Sequence, residues 1–145
     1  DAAGMARPDR LERRTRSMAR LGGLFPKALL ARERAREGAH AARIGTLFTD
    51  CDVLLSPVLT APPPEVMRFE GRGALWTLAG SAGLAAYTPV WNAVGQPAAA
   101  VPAGLSASGL PIGVQLVGRP HDEATLLSLA GQIEEARPWA ERLPA

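Results

Sequence analysis

The sequence is poor in the residues on which several classes of function depend. It contains one cysteine, Cys51, and two histidines among 145 residues, which excludes an internal disulfide and any multi-cysteine metal site. Aromatic residues make up only 5% of the chain. No apolar run approaches the roughly 20 residues that a membrane-spanning helix needs. We therefore expect neither a bound metal nor a membrane partner.

Lysine is also scarce, because Lys27 is the only one and arginine supplies the other cations. The net charge is +2, and the basic excess lies entirely in the first third of the chain. These cations could contact nucleic-acid phosphates, but glutamates such as Glu33 and Glu37 alternate with them at helical spacing, and no aromatic stacking platform accompanies them. Such a pattern is typical of a solvated, charged helix face. The favoured prediction is that the protein has no nucleic-acid partner.

The remaining composition is that of an ordinary globular domain. Hydrophobic residues make up 47% of the chain and charged residues 21%, which is enough for one core that buries roughly 70% of the unfolded surface. The start of the chain is arginine-rich without an apolar segment, so no secretory signal is expected there and a cytoplasmic location is predicted. Because the first residue is Asp1 rather than Met, we expect a piece of a longer protein.

The first 50 residues have helical periodicity. Apolar residues spaced among arginines predict a helix over Arg10–Leu21, ended by Gly22 and Gly23. A second helix is predicted from Pro26 to about Phe48. Along it, alanines recur at steps of three and four and share one face, which would let another element approach closely. These alanines are Ala28, Ala31, Ala35, Ala39 and Ala42.

The later residues read as short strands. Asp52–Val58 is an apolar run that should end at or just before Pro57. Two further strands are predicted at Ala98–Pro102 and Ile112–Val117, joined as an antiparallel hairpin by a turn at Ser106–Gly109. Their unbroken apolar character indicates burial on both faces.

Two helical predictions complete the assignment. Glycines interrupt residues 65–86, where Ala74–Leu84 is expected to contain a helical turn or two. The final helix should begin at Asp122, a good N-cap, and end before Pro138. Its apolar stripe is predicted to comprise Leu126, Leu127, Ala130, Ile133 and Ala136.

Three segments resemble the C-terminal part of the amidase signature family. Asp52–Val58, leading into Pro62–Pro64, is similar to that family's DVLLTPT…PPP pattern. Thr88–Ala98 resembles its T-x-P-x-N-x-x-G-x-P-A stretch. Gly109–Gly118 followed by Asp122–Leu127 resembles its GLPVGVQLVG…DEATLL ending. Their order and spacing over residues 50–140 support the resemblance.

The resemblance implies an α/β fold, the C-terminal part of the amidase-type fold, with strands of a mixed sheet flanked by helices. Residues 1–50 would form a helical segment and residues 51–145 the strand-rich portion. We expect these two parts to be one structural unit rather than two independent domains.

The family hydrolyses carboxamide C–N bonds with a Ser–cis-Ser–Lys triad and without metal or organic cofactor. This sequence has no counterpart of the family's Gly-Gly-Ser-Ser-Gly-Gly loop or of its lysine segment. The resemblance therefore implies an amidase segment without catalytic residues, inactive alone, whose partner is the missing N-terminal part. A homo-oligomer is left open. The alternative is a non-catalytic binding or assembly module built on the amidase scaffold.

Two residues could be mistaken for the missing catalytic groups. Ser81 lies in a Gly-Ser-Ala-Gly segment that lacks the second serine, so we interpret it as part of a turn. Lys27 opens a charged helix, whereas a catalytic lysine needs a desolvated pocket. We therefore expect neither to be catalytic.

The other titratable candidates also have structural explanations. His40 falls on a charged helix face and His121 precedes a helix start, so both are expected to be structural or solvated. Cys51 is expected to be a half-buried thiol without a catalytic role. Asp122 and Glu123 could form an acid–base pair, but capping of the last helix explains them more simply.

The resemblance implies that four residues could wall a substrate pocket: Trp76, Tyr87, Trp91 and Asn92. For Trp91, packing in the core is the favoured alternative. Asn92 is expected to hydrogen-bond backbone near a turn at Gly95 rather than to touch substrate.

Overall fold

The computed structural model describes residues 7–139. The strands are β1 (Val53–Pro57), β2 (Ala98–Leu105) and β3 (Pro111–Gly118). The α-helices, numbered α1 to α6 in chain order, are Arg13–Gly23, Lys27–Ala35, Glu37–Gly45, Ala74–Ser81, Pro89–Val94 and Glu123–Ala136, with 3-10 turns at Pro8–Arg10 and Thr46–Phe48. The α/β class is confirmed.

The described chain divides into two compact units. The first, the helical unit, comprises residues 7–36 and 63–84, and the second, the sheet unit, comprises residues 37–62 and 85–139. The sequence boundary predicted near residue 50 therefore falls inside the sheet unit. That residues 1–50 and 51–145 form one structural unit stays a prediction.

The sheet has the strand order β1-β3-β2, and both pairings are antiparallel. The predicted hairpin between β2 and β3 is confirmed. Its turn is closed by the Gly109 N–H, which donates to the Ser106 carbonyl at 2.9 Å, and by the Ser106 N–H, which donates to the Leu110 carbonyl at 2.8 Å. Gly109 adopts a φ of +79°, a conformation that favours glycine.

The two outer strands each place a proline where the sheet needs no donor. Val58 N–H donates to the Gly113 carbonyl and Gly118 N–H donates to the Pro97 carbonyl. Because bonding alternates along an antiparallel ladder, every second residue of β1 and β2 directs its backbone groups outward. These residues are Val53, Leu55 and Pro57 on β1, and Ala98, Ala100 and Pro102 on β2.

Helix α6 packs against one face of the sheet. The core there comprises Val101, Leu116 and Leu126, each at most 4% exposed. Gly118 allows this close approach, because a Cβ at that position would lie 3.1 Å from Leu126 Cγ. The opposite face carries Gln115 and fully buried Val117, since neighbouring strand residues point to opposite sides.

The N-terminal helices differ from their predictions. Helix α1 begins at Arg13 and runs through the glycine pair to Gly23. The predicted long helix is broken at Arg36, which separates α2 from α3. Gly38, in the first turn of α3, has a helix propensity about 1 kcal/mol poorer than alanine, which favours a break there. The five aligned alanines are all exposed.

Polar contacts hold the helical unit together. Ser17 on α1 accepts the backbone N–H of Ala74 at 3.0 Å, so a side chain from another helix satisfies an orphan donor in the first turn of α4. Helix α4 confirms the helical turns predicted within Ala74–Leu84.

The C-terminal elements confirm the predicted helix but correct its buried face. Asp122 occupies the N-cap position of α6, where its carboxylate accepts the Thr125 hydroxyl rather than a backbone N–H. Leu127 is 69% exposed, and Leu129 packs on the core in its place. Ala136 is also exposed.

The burial predicted for both strands of the hairpin holds only for the second half of β3, since Ile112 is 45% exposed. Strand β3 is buried from Gln115 to Gly118. Strand β2 alternates instead, since its outer positions Ala98, Ala100 and Pro102 are exposed. Strand β2 lies at the edge of the sheet, and α6 covers one of its faces. Its unbroken apolar run did not distinguish it from the central strand β3.

Candidate functional site

Three of the four predicted pocket-wall residues lie together in the sheet unit. Trp91 and Asn92 belong to α5, and Tyr87 precedes this helix by two residues. Trp76 lies on α4 in the helical unit.

Helix α5 was not predicted from the sequence. Pro89 occupies its first turn, and Gly95 ends it with a φ of +74°. Proline at the start and left-handed glycine after the end are the helix-boundary signals that could have identified it. The helix packs against α3, so Trp91 and Asn92 are held on a regular element rather than on a loop.

Gln115 ties this segment to the sheet. Its side-chain amide donates to the Tyr87 carbonyl at 3.3 Å and to Ser56 Oγ at 3.4 Å. Gln115 is 6% exposed, so losing these bonds would leave a buried polar group unpaired. Sequence reasoning did not single it out, although one polar residue in the apolar run of β3 is the signal that could have done so.

Two buried polar atoms near α5 lack partners within the described residues: Trp91 Nε1 and Gln96 Oε1. One is a hydrogen-bond donor and the other an acceptor. Each unpaired buried group costs about 1–3 kcal/mol. These atoms therefore need partners that the described chain does not supply, such as ordered water or another polypeptide segment.

Asn92 is exposed beside a groove of about 350 Å³ that runs between α3 and α5. The turn at Gly95 is closed by backbone groups, because the N–H groups of Gly95 and Gln96 both donate to the Trp91 carbonyl. The expected bond from the Asn92 side chain to this turn is not seen among the described residues. A left-handed glycine cap closes the turn without it.

Trp76 has a different environment in the helical unit. Its ring meets Phe69 edge to face with centroids 5.7 Å apart, and the Arg72 guanidinium lies 4.7 Å from its centroid. Gly80 allows Phe69 to pack closely, since a Cβ there would come within 2.8 Å of Phe69 Cε1. With 45% of its surface exposed, Trp76 presents a stacked but accessible aromatic face.

The residues that could be mistaken for catalytic groups are either hydrogen-bonded within a helix or exposed to solvent. Ser81 Oγ donates to the Thr77 carbonyl at 2.7 Å within α4. Lys27 is exposed at the start of α2, and His40 and His121 are also exposed. No nucleophile–base pair is formed among these residues.

Arg119 makes the other notable polar cluster. Its guanidinium donates to the carbonyls of Phe48 and Cys51 and pairs with the Asp52 carboxylate at 3.1 Å. Cys51 itself is half-buried with Sγ 3.1 Å from the Leu47 carbonyl, as predicted. These contacts join the end of β3 to the start of β1 and explain the cluster structurally.

Within residues 7–139, His, Cys, Asp and Glu form no group of three or more that could hold a metal ion. No helix in the described part of the chain is both long and apolar enough to cross a bilayer.

The sequence matches point to one family. The Amidase family model matches residues 3–127. A protein of Mycobacterium bovis that carries the name amidase AmiB2 is 50% identical over all 145 residues, which cover 31% of that relative. The 6-aminohexanoate-cyclic-dimer hydrolase of Paenarthrobacter ureafaciens is 39% identical over 101 residues, 64% of this chain and 20% of the relative. The chain thus spans about a third of the length of AmiB2.

Solved structures agree with the sequence matches. A structure of 6-aminohexanoate cyclic dimer hydrolase in complex with substrate superposes with a TM-score of 0.79 at 30% identity, covering 94% of this chain and 30% of the other. The allophanate hydrolase of Kluyveromyces lactis shares the fold, with a TM-score of 0.63 at 24% identity, over 77% of this chain and 17% of the other. The family match and the fold together establish that the chain belongs to the amidase family.

Proposed function

We propose that this chain is the C-terminal segment of an amidase, a hydrolase of carboxamide C–N bonds, and that it supplies scaffold and pocket wall rather than catalytic groups. The observation that carries this proposal is the likeness to the substrate-bound cyclic dimer hydrolase over 94% of the chain. Because the chain corresponds to 30% of that hydrolase, we assign amide hydrolysis to this segment together with the rest of the amidase.

The residues support a chain that is silent on its own. The sequence has no counterpart of the Gly-Gly-Ser-Ser-Gly-Gly loop, whereas the chemistry that the resemblance implies needs a nucleophilic serine, a bridging serine and an activating lysine. Ser81, the serine in the Gly-Ser-Ala-Gly segment, already donates its hydroxyl to Thr77. Lys27 is exposed to solvent, whereas a catalytic lysine lies in a closed pocket beside its nucleophile.

Trp76, Tyr87, Trp91 and Asn92 are proposed as pocket-wall residues. Trp76, Tyr87 and Asn92 are exposed, so their side chains are available to a substrate or to another segment. Trp91 is half-buried, and its buried indole N–H has no partner within the described residues. A cytoplasmic location is part of the same proposal.

A non-catalytic assembly module is the second candidate. It is favoured by the many large apolar side chains that remain uncovered, such as Leu24 at 77% exposure and Val66 at 89%, since large exposed apolar surfaces mark interaction sites. Gel filtration distinguishes the candidates: a stable monomer with a cooperative melt supports a module, and aggregation or capture of the rest of an amidase supports a segment.

The direct test is turnover of simple aliphatic and aryl amides. We expect none from the purified 145-residue chain. We expect activity when the chain is co-expressed with the part of AmiB2 that lies outside the match, and Ser81→Ala should leave that activity unchanged. Hydrolysis by the chain alone that Ser81→Ala abolishes would overturn the proposal.

A further inference from the structure

The helical unit contains a cavity of about 650 Å³, which lies between residues 12–14 and residues 65–72. Four arginines and three glutamates line it, so the lining carries an excess of one positive charge. The charged residues are Arg13, Arg14, Arg68 and Arg72, together with Glu12, Glu65 and Glu70. The cavity therefore favours an anion over a cation or a neutral polar group.

Two of the four arginines already have partners. Arg14 pairs with the Glu12 carboxylate at 3.0 Å, and the Arg13 guanidinium donates to the Gly71 carbonyl at 3.5 Å. Arg68 and Arg72 differ, because neither forms an ion pair within residues 7–139. Their guanidiniums are the cations of this cavity that remain available to an anion.

Aromatic rings support both available guanidiniums. The Arg72 guanidinium lies 4.7 Å from the centroid of Trp76, and that of Arg68 lies 5.8 Å from the centroid of Phe69. The two rings themselves meet edge to face. A cation–π contact restricts the arginine without using its N–H groups, which can then donate in pairs to a carboxylate.

The backbone that carries both arginines is folded into turns. The Arg68 N–H donates to the Glu65 carbonyl at 3.2 Å, and the Arg72 N–H donates to the Phe69 carbonyl at 3.3 Å. Gly80 gives the Phe69 ring room to pack on α4, as described above. A cluster that is ordered before it binds loses less conformational entropy when the ligand arrives.

The charge balance of the lining also indicates the class of anion. A single carboxylate matches the excess of one positive charge, whereas Glu65 and Glu70 would repel the second charge of a phosphate. Met67 and Phe69 add apolar surface to the same cavity, and Met67 is 68% exposed. An apolar group next to the carboxylate would bury this surface.

We propose that the Arg68–Arg72 cavity binds a carboxylate attached to an apolar body, and that it selects amide substrates that carry a free carboxylate away from the scissile amide. The selection of substrate rests on the proposed function, whereas binding of the carboxylate does not. The cluster gives Trp76 a stated role: its ring holds the Arg72 guanidinium.

The first test is a titration of the 15N-labelled 145-residue chain with 4-phenylbutyrate, followed by NMR chemical shifts. Because both guanidiniums are exposed, we expect a dissociation constant of roughly 1 mM. The Gly71 amide and the Trp76 indole N–H should shift, and the Trp91 indole should not. Arg68→Gln and Arg72→Gln should each weaken binding roughly fivefold.

The controls separate the site from general charge effects. Arg34→Gln removes an exposed arginine of the helical unit that does not line the cavity, and it should leave binding unchanged. The uncharged 4-phenylbutyramide should not bind. Binding of 4-phenylbutyrate that is equal in the wild type and in both cavity variants overturns the site, and equally tight binding of inorganic phosphate overturns the carboxylate class.

The second test measures selection in the chain co-expressed with the part of AmiB2 outside the match. The monoamide of adipic acid and hexanamide are compared by the ratio of their kcat/KM values. We expect the ratio to favour the acid, and Arg72→Gln should lower it roughly fivefold. Arg34→Gln should leave the ratio unchanged.

The outcomes distinguish this inference from the proposed function. If both amides are hydrolysed but the ratio is the same in the wild type and in Arg72→Gln, the selection is overturned and the proposed function stands. If the assembly hydrolyses no amide, the proposed function and the selection are both overturned. A positive titration supports the carboxylate site in either case.

Discussion

The sheet unit and the helical unit bury their apolar residues to very different extents. In the sheet unit, Phe48, Val101, Leu116, Val117 and Leu126 are all at most 5% exposed, whereas Ala74 is the one core hydrophobic in the described part of the helical unit. Leu24 and Leu75 in that unit are 77% and 69% exposed. The comparison shows that one unit has a core of its own and the other depends on polar and aromatic contacts.

The largest expected effect tests the core of the sheet unit. Leu116→Ala should lower the free energy of unfolding by about 2–5 kcal/mol, because it removes a buried side chain and leaves a cavity. Leu75→Ala, on the exposed side of α4, should change it by less than about 0.5 kcal/mol. Urea denaturation followed by circular dichroism measures both. Equal effects of the two substitutions would remove the distinction between the units.

The second prediction compares two glycines within the sheet unit. Gly118→Ala should destabilise by about 1–3 kcal/mol, because the new methyl group meets Leu126 at 3.1 Å. Gly131 lies in α6, where an added Cβ would meet nothing within 4 Å beyond its chain neighbours and its own helix backbone, so Gly131→Ala should stabilise by about 0.5–1 kcal/mol. Thermal melts show whether each substitution lowers or raises the melting temperature. A stabilising Gly118→Ala would contradict the close packing of α6 on Gly118.

The smallest expected effect lies in the helical unit. Ser17→Ala removes the acceptor of the Ala74 N–H and should cost about 0.5–1.5 kcal/mol. Thr15→Ala, exposed on the same helix, is the control and should be nearly neutral. Native-state hydrogen exchange detects the change as faster exchange of α4 amides while β3 amides stay protected. Faster exchange in both units would mean that they unfold together.

The sequence predicted the elements whose signals are local. Apolar runs bounded by proline and glycine located the three strands found within residues 7–139, the hairpin and α6, because proline and glycine impose backbone conformations wherever they occur. The break at Arg36 and the exposure of Leu127 were not predicted, since they depend on which neighbour covers each face. Periodicity describes a helix face but does not identify what packs on it.

For the candidate site, the resemblance supplied four residues but not their supports. The link from Gln115 to the Tyr87 carbonyl joins residues 28 apart in sequence, and only the folded sheet brings them together. The unpartnered atoms of Trp91 and Gln96 are likewise a property of packing. The family resemblance identified the candidates, and long-range contacts determine their environment.

The strand order also determines when this sheet can form during synthesis. β3 lies between β1 and β2, yet it is the last of the three strands to leave the ribosome. At a synthesis rate of about 5–20 residues per second, on the order of 3–12 s pass between the synthesis of β1 and that of the residues in β3 that pair with it. During that interval its apolar side chains are available to chaperones or to a segment synthesised earlier, which makes the order of synthesis a factor in which neighbour the strand meets first.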